Sequence, residues 1–375
     1  MRIRELVLLL FSLAAARADD LKPVFPGSDW ERVPSPEAAG FSSAKLDVLR
    51  AWMKTQSSTA MTVSVGGRVL FEYGAVKQVS ALASARKSVL GMMFGKYLGT
   101  DQPMGTSILN KTVKELGLDD VQKFLPIEET AKLRDLLMSR SGIYHPVGED
   151  DPKDMCPVRG SQFPGTFFCY NNWDFDAAGT AFEKLAGKNI YDALESDLAR
   201  PIGMQDFDRA RQKKDTGMPH SVHPLYHMYL STRDMGRLGL LMLRYGNWDG
   251  KQLINSNWVQ YMTTLVTPVN ELFPSGFRND AERNNWRFGF GVMWWVWDLP
   301  RLPNPISSGN FYGAYSAWGL GGQFITVLPA YDMVVAHKVD LDKVREEKYL
   351  TTQEFRTILD MLFSSYCGKN CQSPN

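Results

Sequence analysis

The stretch SARKSVLGMMF at residues 84–94 places a serine and a lysine at the start of a long apolar segment. The apolar run predicts a buried helix over 84–98, and at helical spacing Ser84 and Lys87 share one face. A serine hydroxyl becomes a nucleophile only when a base removes its proton. A lysine amine can be that base if burial and a neighbouring positive charge lower its pKa. The stretch therefore predicts a nucleophile and its base at the beginning of a buried helix.

A second copy of this spacing shows that the pattern alone is weak. Residues 42–45 read SSAK, and we interpret Ser42 as the N-cap of a solvated helix that runs to residue 53. The Ser84 copy differs because it opens an unusually apolar helix after a hairpin and a polar linker. That hairpin is predicted over 61–73, where residues alternate around Gly66-Gly67.

Two further segments contain groups that could act on a bound carbonyl. In PGTFFCYNN, residues 164–172, a tyrosinate at Tyr170 beside a lysine cation would relay a proton, and the Asn172 amide would hold Lys87 and a substrate carbonyl. In AWGLGGQ, residues 317–323, glycines admit a substrate, and a backbone N–H would join that of Ser84 in an oxyanion hole. Each segment also has a purely structural explanation. Residues 164–172 could supply a buried tyrosine and an asparagine helix cap, and residues 317–323 could form a glycine-rich turn before a strand.

In this order the three segments resemble the serine β-lactamase-like superfamily, which includes class C β-lactamases, D-Ala-D-Ala peptidases, related esterases and 6-aminohexanoate-dimer hydrolases. Ser84 and Lys87 match its S-x-x-K motif, and Tyr170 and Asn172 match its Y-x-N motif. The resemblance runs from about Phe41 to the C-terminal helix. It implies that Ser84 is the nucleophile, Lys87 its base and Tyr170 the proton relay, with Asn172 positioning Lys87.

The third motif departs from the lactamase pattern. The lactamase Lys/His-Thr-Gly falls on Ala317-Trp318-Gly319, so no cation is available for a substrate carboxylate. GLGGQ at 319–323 looks more like the esterase and 6-aminohexanoate-dimer hydrolase branch, and by that resemblance the second oxyanion donor is the N–H of Leu320. The predicted substrate-binding positions are Trp318, Gly319, Gly321, Gly322, Phe168 and His145.

The resemblance favours hydrolysis of an ester or small amide through an acyl-enzyme on Ser84. β-Lactamase or D-Ala-D-Ala carboxypeptidase activity is the alternative within the same class. From another class, a catalytically silent protein that binds a cell-wall fragment is the alternative, and the intact Ser84, Lys87 and Tyr170 argue against it. The expected partner is a small ester, amide or peptide-like molecule.

No metal or organic cofactor is predicted. His220, His223 and His227 suggest a metal cluster by residue type, but Pro224 interrupts any helix that would align them, so we assign them structural roles. The 42 basic and 41 acidic side chains give a net charge of +1, which argues against a nucleic-acid partner. The 10 Trp, 14 Tyr and 20 Phe suggest an aromatic, largely apolar acyl pocket, with core packing alone as the alternative.

Strand patterns at both chain ends and helical patterns between them predict an α+β fold, of the β-lactamase/transpeptidase type that the resemblance implies. One antiparallel sheet would be built from about 41–80 and 285–375, flanked by helices, with a mainly helical region inserted at about 84–284. The remaining predicted elements are helices at 112–118, 128–140, 172–186, 190–198, 231–245 and 352–365, a strand at 288–297, a hairpin of 324–329 with 333–339, and a loop at 142–165.

The first 18 residues are typical of a cleavable signal peptide. Arg2 and Arg4 precede an apolar run at 6–16, and Ala16-Arg17-Ala18 has the form of a cleavage site. The domain would then be 19–375, secreted or periplasmic, with a net charge of −1 and no further membrane span; an uncleaved anchor is the weaker alternative. We expect a monomer. Asn110-Lys111-Thr112 matches a glycosylation sequon, which is meaningful only in a host that glycosylates its exports.

Export makes the four cysteines disulfide candidates. Cys367 and Cys371 could close a small C-terminal loop, which leaves Cys156 and Cys169 as a pair across a loop rich in Pro and Gly. Four cysteines allow three connectivities, and the sequence leaves all three open.

Overall fold

A computed structural model of the chain describes residues 22–98, 106–147, 155–298 and 309–371. The predicted signal peptide lies outside these residues. The ten helices of the described part are α1 Ser43–Met53, α2 Ala85–Phe94, α3 Thr106–Leu109, α4 Leu133–Leu137, α5 Asn172–Ala186, α6 Ile190–Ala193, α7 Thr232–Leu243, α8 Ser256–Met262, α9 Ser275–Asn284 and α10 Thr352–Ser365. The strands are β1 Ala60–Val65, β2 Arg68–Gly74, β3 Ser80–Ala81, β4 Lys213–Asp215, β5 Leu225–His227, β6 Tyr229–Leu230, β7 Asn247–Trp248, β8 Lys251–Gln252, β9 Phe288–Phe290, β10 Trp295–Trp297, β11 Tyr315–Gly319, β12 Gln323–Leu328 and β13 Met333–Lys338.

The main sheet joins the two ends of the chain. Its seven antiparallel strands follow the order β2-β1-β13-β12-β11-β10-β9, so the N-terminal hairpin pairs with the C-terminal strands through β1 and β13. All residues of β1, β12 and β13 are buried. Helices cover both faces, because α7 packs on Val334 and Ile325, while Phe355 of α10 stacks on Phe324 from the other side at 3.8 Å between ring centroids. The predicted α+β fold is confirmed.

Local patterns correctly predicted the hairpins and the long helices. Gly66 and Gly67 have φ of 59° and 82°, the left-handed values that a tight hairpin turn needs, and they connect β1 to β2. β12 and β13 form the second predicted hairpin. Helices α5 and α10 have the predicted bounds.

Three predicted elements are wrong in detail. Residues 112–118 form turns instead of a helix, because the Val113 N–H donates to the Ala131 carbonyl at 2.7 Å and so pairs with a distant segment. The segment predicted as one helix at 128–140 is broken near Ala131. It consists of a 3₁₀ turn at Glu128–Thr130 followed by α4. The stretch 288–297 is two antiparallel strands, β9 and β10, instead of one.

The structure selects one of the three disulfide connectivities that the sequence left open. Cys156 is bonded to Cys169, and Cys367 to Cys371. The first bond ties the long loop that follows Gly142 to the segment immediately before Tyr170. Across residues 22–98, 106–147, 155–298 and 309–371, no helix is long and apolar enough to cross a membrane.

Candidate active site

Ser84 stands at the N-cap position of α2 without acting as a cap. Its φ and ψ are −68° and −14°, a helical conformation, and its side chain makes no capping hydrogen bond. The preceding Ala83 has a φ of +46°, a left-handed value that a residue with a Cβ rarely adopts. Such backbone strain concentrates at functional sites. The abrupt entry into α2 leaves the Ser84 hydroxyl available to other side chains.

Lys87 connects the predicted catalytic groups. Its Nζ lies 3.1 Å from Ser84 Oγ, 2.9 Å from the Tyr170 hydroxyl oxygen and 2.7 Å from Asn172 Oδ1, all within hydrogen-bond distance. The residue is only 2% exposed, and Nζ lies 4.5 Å from the centroid of the Tyr170 ring and 4.7 Å from that of Phe175. Removal from water disfavours the charged form of an amine, which is the form that cannot act as a base. The structure thus brings Ser84, Lys87, Tyr170 and Asn172 together.

The start of α5 explains how Asn172 reaches Lys87. Asn171 is the N-cap, and its side chain accepts a hydrogen bond from the Asp174 N–H at 3.2 Å. Because Asn171 caps the helix, the amide of Asn172 is available to accept from Lys87. Tyr170 is fixed just before the helix by its own N–H, which donates to the Phe273 carbonyl at 2.9 Å. The interpretation of Asn172 as a mere helix cap is therefore wrong.

Tyr170 is a neutral phenol at ordinary pH. Burial raises its pKa to about 12, although a hydrogen bond with Ser84 and the positive charge of Arg86 act in the opposite direction. A pKa this high favours the phenol over the tyrosinate that the sequence suggested. A phenol that contacts both Ser84 and Lys87 can still pass a proton along, since it accepts at its oxygen while donating its own hydrogen.

The third segment lies directly against the start of α2. A Cβ added to Gly319 would lie 2.4 Å from the Leu82 carbonyl oxygen and 2.9 Å from the Ala85 nitrogen, so β11 approaches α2 too closely for any side chain there. Gly321 and Gly322 then turn the chain into β12 with φ of 79° and 103°. The Leu320 side chain is 62% exposed. Gly319 therefore allows the close approach, while the two other predicted glycines shape the turn.

Aromatic rings extend from Tyr170 to β11. Trp318 lies 4.8 Å from Trp295, which stacks on Tyr170 at 5.7 Å, all between ring centroids. Phe277 of α9 contacts all three rings, at 5.1–5.7 Å. Ala317, at the position where lactamases carry a cation, is fully buried. The surroundings of the predicted site are thus predominantly apolar on this side.

Two predicted substrate-binding residues are buried. His145 is completely buried, with Nδ1 3.0 Å from Asp120 Oδ2 and Nε2 3.4 Å from Glu128 Oε2. Burial opposes its positive charge, but the two carboxylates outweigh burial and raise the pKa of His145. Phe168 is 1% exposed and packs on Phe290. Neither side chain is open to a ligand in this structure, and contact of either residue with the substrate stays a prediction.

Sequence reasoning missed a buried ion pair beside the nucleophile. Arg86 is 6% exposed, and its guanidinium contacts Asp176 of α5 at 3.4 Å and lies 5.1 Å from the Tyr226 ring centroid. A charged residue in the first turn of an otherwise apolar helix was the available signal, since buried charges are normally paired. This pair joins α2 to α5 behind the predicted catalytic groups.

Two of the three histidines at 220–227 make separate contacts. His223 Nδ1 lies 3.0 Å from Thr180 Oγ1, and His227 Nε2 lies 2.7 Å from Asp215 Oδ2. In the part of the chain that the structure describes, no three His, Cys, Asp or Glu side chains converge as metal ligands would.

Comparison with known proteins places this geometry in context. The family model described as Beta-lactamase matches residues 50–350. A curated protein from Alkalihalophilus pseudofirmus, described as uncharacterized, is 26% identical over 110 residues; the match spans 29% of this chain and only 29% of that protein's length.

Solved structures share the fold at low sequence identity. A Bacillus anthracis protein whose proposed identity is 6-aminohexanoate-dimer hydrolase superposes with a TM-score of 0.56, 15% identity, and coverage of 93% of this chain and 88% of that one. A family VIII carboxylesterase superposes with a TM-score of 0.58, 13% identity, and coverage of 90% and 99%.

Proposed function

This chain belongs to the Beta-lactamase family of serine hydrolases, and on that premise we propose that it hydrolyses an uncharged, apolar ester or small amide through an acyl-enzyme on Ser84. The observation that carries the proposal is the buried contact of Lys87 Nζ with Ser84 Oγ, the Tyr170 hydroxyl and Asn172 Oδ1. A nucleophile in contact with its base, and a base oriented by a third group, is the arrangement that acyl transfer requires.

Acylation begins with proton transfer from Ser84 to the neutral amine of Lys87. Ser84 Oγ then forms a bond to the substrate carbonyl carbon, and the carbonyl electrons move onto oxygen. The backbone N–H groups of Ser84 and Leu320 donate hydrogen bonds to that oxyanion. The close approach of Gly319 to Leu82 and Ala85 supports this pairing of donors, because it holds the end of β11 against the start of α2.

The leaving group needs a proton as its bond to the carbonyl carbon breaks. Lys87 supplies it through the Tyr170 hydroxyl, which donates its own hydrogen and accepts that of Lys87. Water next attacks the acyl carbon while the same two residues take its proton, and the Ser84–carbon bond breaks with return of a proton to Ser84. The neutral phenol of Tyr170, with a pKa of about 12, suits a relay rather than a permanent base.

The substrate class follows from the groups around the site. Ala317 offers no charge to a substrate carboxylate. The rings of Trp318 and Phe277, both only partly buried, lie beside Tyr170 and the buried Trp295. Apolar surface favours binding of an uncharged alkyl or aryl group and provides no stabilising interaction for an anion. The ester or amide is therefore proposed ahead of a penicillin-type substrate, which carries a carboxylate.

We also propose that the protein acts outside the cytoplasm. Residues 1–18 have the order of charge, apolar run and small residues that an export signal needs. Two disulfides in the folded chain suit an oxidising compartment, since cytosolic thiols are kept reduced.

The test is a substrate panel on purified protein: p-nitrophenyl esters of increasing acyl length, linear amides and the β-lactam nitrocefin. We expect turnover of the esters, higher kcat/KM for longer uncharged acyl groups, and little nitrocefin hydrolysis. Ser84→Ala should abolish the ester activity, and a fluorophosphonate should add its mass to Ser84 in the unmodified protein.

Rapid nitrocefin turnover that depends on Ser84 would contradict the proposed substrate class. Absence of both ester turnover and fluorophosphonate labelling would contradict the enzymatic function itself and support the silent binding protein. Succinylated p-nitrophenyl esters, which carry a carboxylate, serve as the matched substrate control and should be poorer than uncharged esters of equal length.

A further inference from the structure

A buried histidine holds the turn that carries the proposed oxyanion donor. His337 pairs with Phe324 in the β12–β13 register, and its side chain reaches the preceding turn, where Nδ1 lies 2.7 Å from the Gly322 carbonyl oxygen. On the other side of the ring, Nε2 lies 2.7 Å from Ser58 Oγ. The imidazole thus links Ser58, two residues before β1, to the turn at 320–322.

The partners of the ring determine its tautomer. A carbonyl oxygen can only accept, so Nδ1 carries the hydrogen and donates it to Gly322. The neutral ring then accepts at Nε2 from the Ser58 hydroxyl. His337 is fully buried, and burial lowers its pKa to about 4, which keeps the ring neutral at ordinary pH. The ring therefore donates at Nδ1 to the Gly322 carbonyl and accepts at Nε2 from the Ser58 hydroxyl.

The hydrogen bond to Gly322 is placed where it controls the geometry of the turn. Gly322 follows Leu320 by two residues and has a φ of 103°, a conformation that other residues rarely adopt. Leu320 itself is exposed, so its own side chain contributes little packing to hold the turn. Fixing the Gly322 peptide limits how far the Leu320 N–H can move from the start of α2.

We infer that His337 is a positioning residue that aligns the Leu320 N–H with the substrate oxyanion. The inference rests on the proposed function, since it gives the turn a role only if Ser84 attacks a carbonyl. Donors that stabilise an oxyanion act mainly in the transition state, so a misplaced donor lowers kcat more than it raises KM.

Two substitutions separate positioning from packing. In His337→Asn the amide nitrogen takes the place of Nδ1 and keeps a donor for Gly322. In His337→Gln the side chain reaches the place of Nε2 and contacts Ser58, without a donor at the Nδ1 position. Gln fills more of the buried volume than Asn, so a packing role predicts better function for Gln, whereas a positioning role predicts better function for Asn.

The experiment measures kcat and KM with p-nitrophenyl butyrate and the rate of fluorophosphonate labelling of Ser84. The kcat of each variant is calculated per titrated active site, so a smaller folded fraction does not lower the measured kcat. We expect kcat and labelling rate to be at least about tenfold lower in His337→Gln than in His337→Asn, with KM changed little. Melting temperatures are recorded for both variants.

Equal kcat per titrated site in the two variants, or a higher value for His337→Gln, would overturn the inference while leaving the proposed function intact. Failure of the proposed function gives a different result, because the unmodified protein would then neither hydrolyse the ester nor label at Ser84, and the inference would fail with it. A difference confined to melting temperature would assign His337 a structural role only.

Discussion

Two regions of the molecule carry the same S-x-x-K spacing and use it differently. Ser42 caps α1, accepting a hydrogen bond at Oγ from the Lys45 N–H at 3.4 Å, as a serine before a helix usually does. Lys45 is exposed, and its Nζ donates to the Ser364 carbonyl at 2.7 Å. The Ser42 side chain thus bonds to the backbone of Lys45, while the Lys45 side chain bonds elsewhere.

The copy at Ser84 differs in backbone and burial. Ser84 makes no capping bond, and Lys87 is buried with its Nζ on Ser84 Oγ. The strand β11 lies against this helix start. The comparison teaches that the spacing supplies a shared helix face, whereas enclosure by other segments makes the two side chains meet.

The largest expected difference between the two copies is in activity after removal of the serine hydroxyl. Ser84→Ala should lower kcat for the best ester of the panel by a factor on the order of 10⁴ or more, because no nucleophile is left. Ser42→Ala, the matched control, should retain the kcat of the unmodified protein. Loss of activity in Ser42→Ala at unchanged folded fraction would contradict the assignment of the two copies.

Removal of the amine should have the next largest effect. Lys87→Met keeps much of the side-chain volume but cannot accept a proton, so we expect kcat to fall by about 10²–10⁴-fold. Lys45→Met loses only an exposed contact and should be unaffected. The measurement is steady-state ester hydrolysis over pH 5–10, and a Lys87→Met variant with normal kcat would exclude this lysine as the base.

A smaller effect should follow from separating β11 from α2. In Gly319→Ala the new methyl group would overlap the Leu82 carbonyl and the Ala85 nitrogen, so the strand must shift; we expect kcat to fall by about 10²-fold. Gly276→Ala is the control, since a Cβ there meets nothing within 4 Å. Equal kcat in the two variants would show that the close approach is irrelevant to turnover.

The smallest expected effect is on stability, where substitution of Ser42 should cost more than substitution of Ser84. Ser42→Ala removes the cap of α1 and should lower the free energy of unfolding by about 1 kcal/mol. Ser84→Ala removes no capping bond and should change stability less. Urea unfolding followed by tryptophan fluorescence measures both, and greater destabilisation by Ser84→Ala would contradict the contrast.

Local patterns were sufficient where the physical cause was local. Hairpins at Gly66-Gly67 and helices such as α5 follow from turn chemistry and apolar periodicity along a few residues. The segment 112–118 was wrong because its backbone pairs with Ala131, which no local pattern reveals. The burial of His145 could not be predicted for the same reason, since Asp120 and Glu128, which flank its ring, are distant from it in the chain.

The sequence by itself determined which groups of the site are present: a serine and a lysine one helical turn apart, a tyrosine just before α5 with an asparagine as the first residue of that helix, and glycines before a strand. Only the tertiary structure decided that Lys87 meets Tyr170 and Asn172, that Asn171 takes the capping role, and that His337 holds the Gly322 turn. Helical and strand periods act between near neighbours. Contacts between residues more than 80 positions apart depend on how helices and sheet pack, and packing is a property of the whole chain.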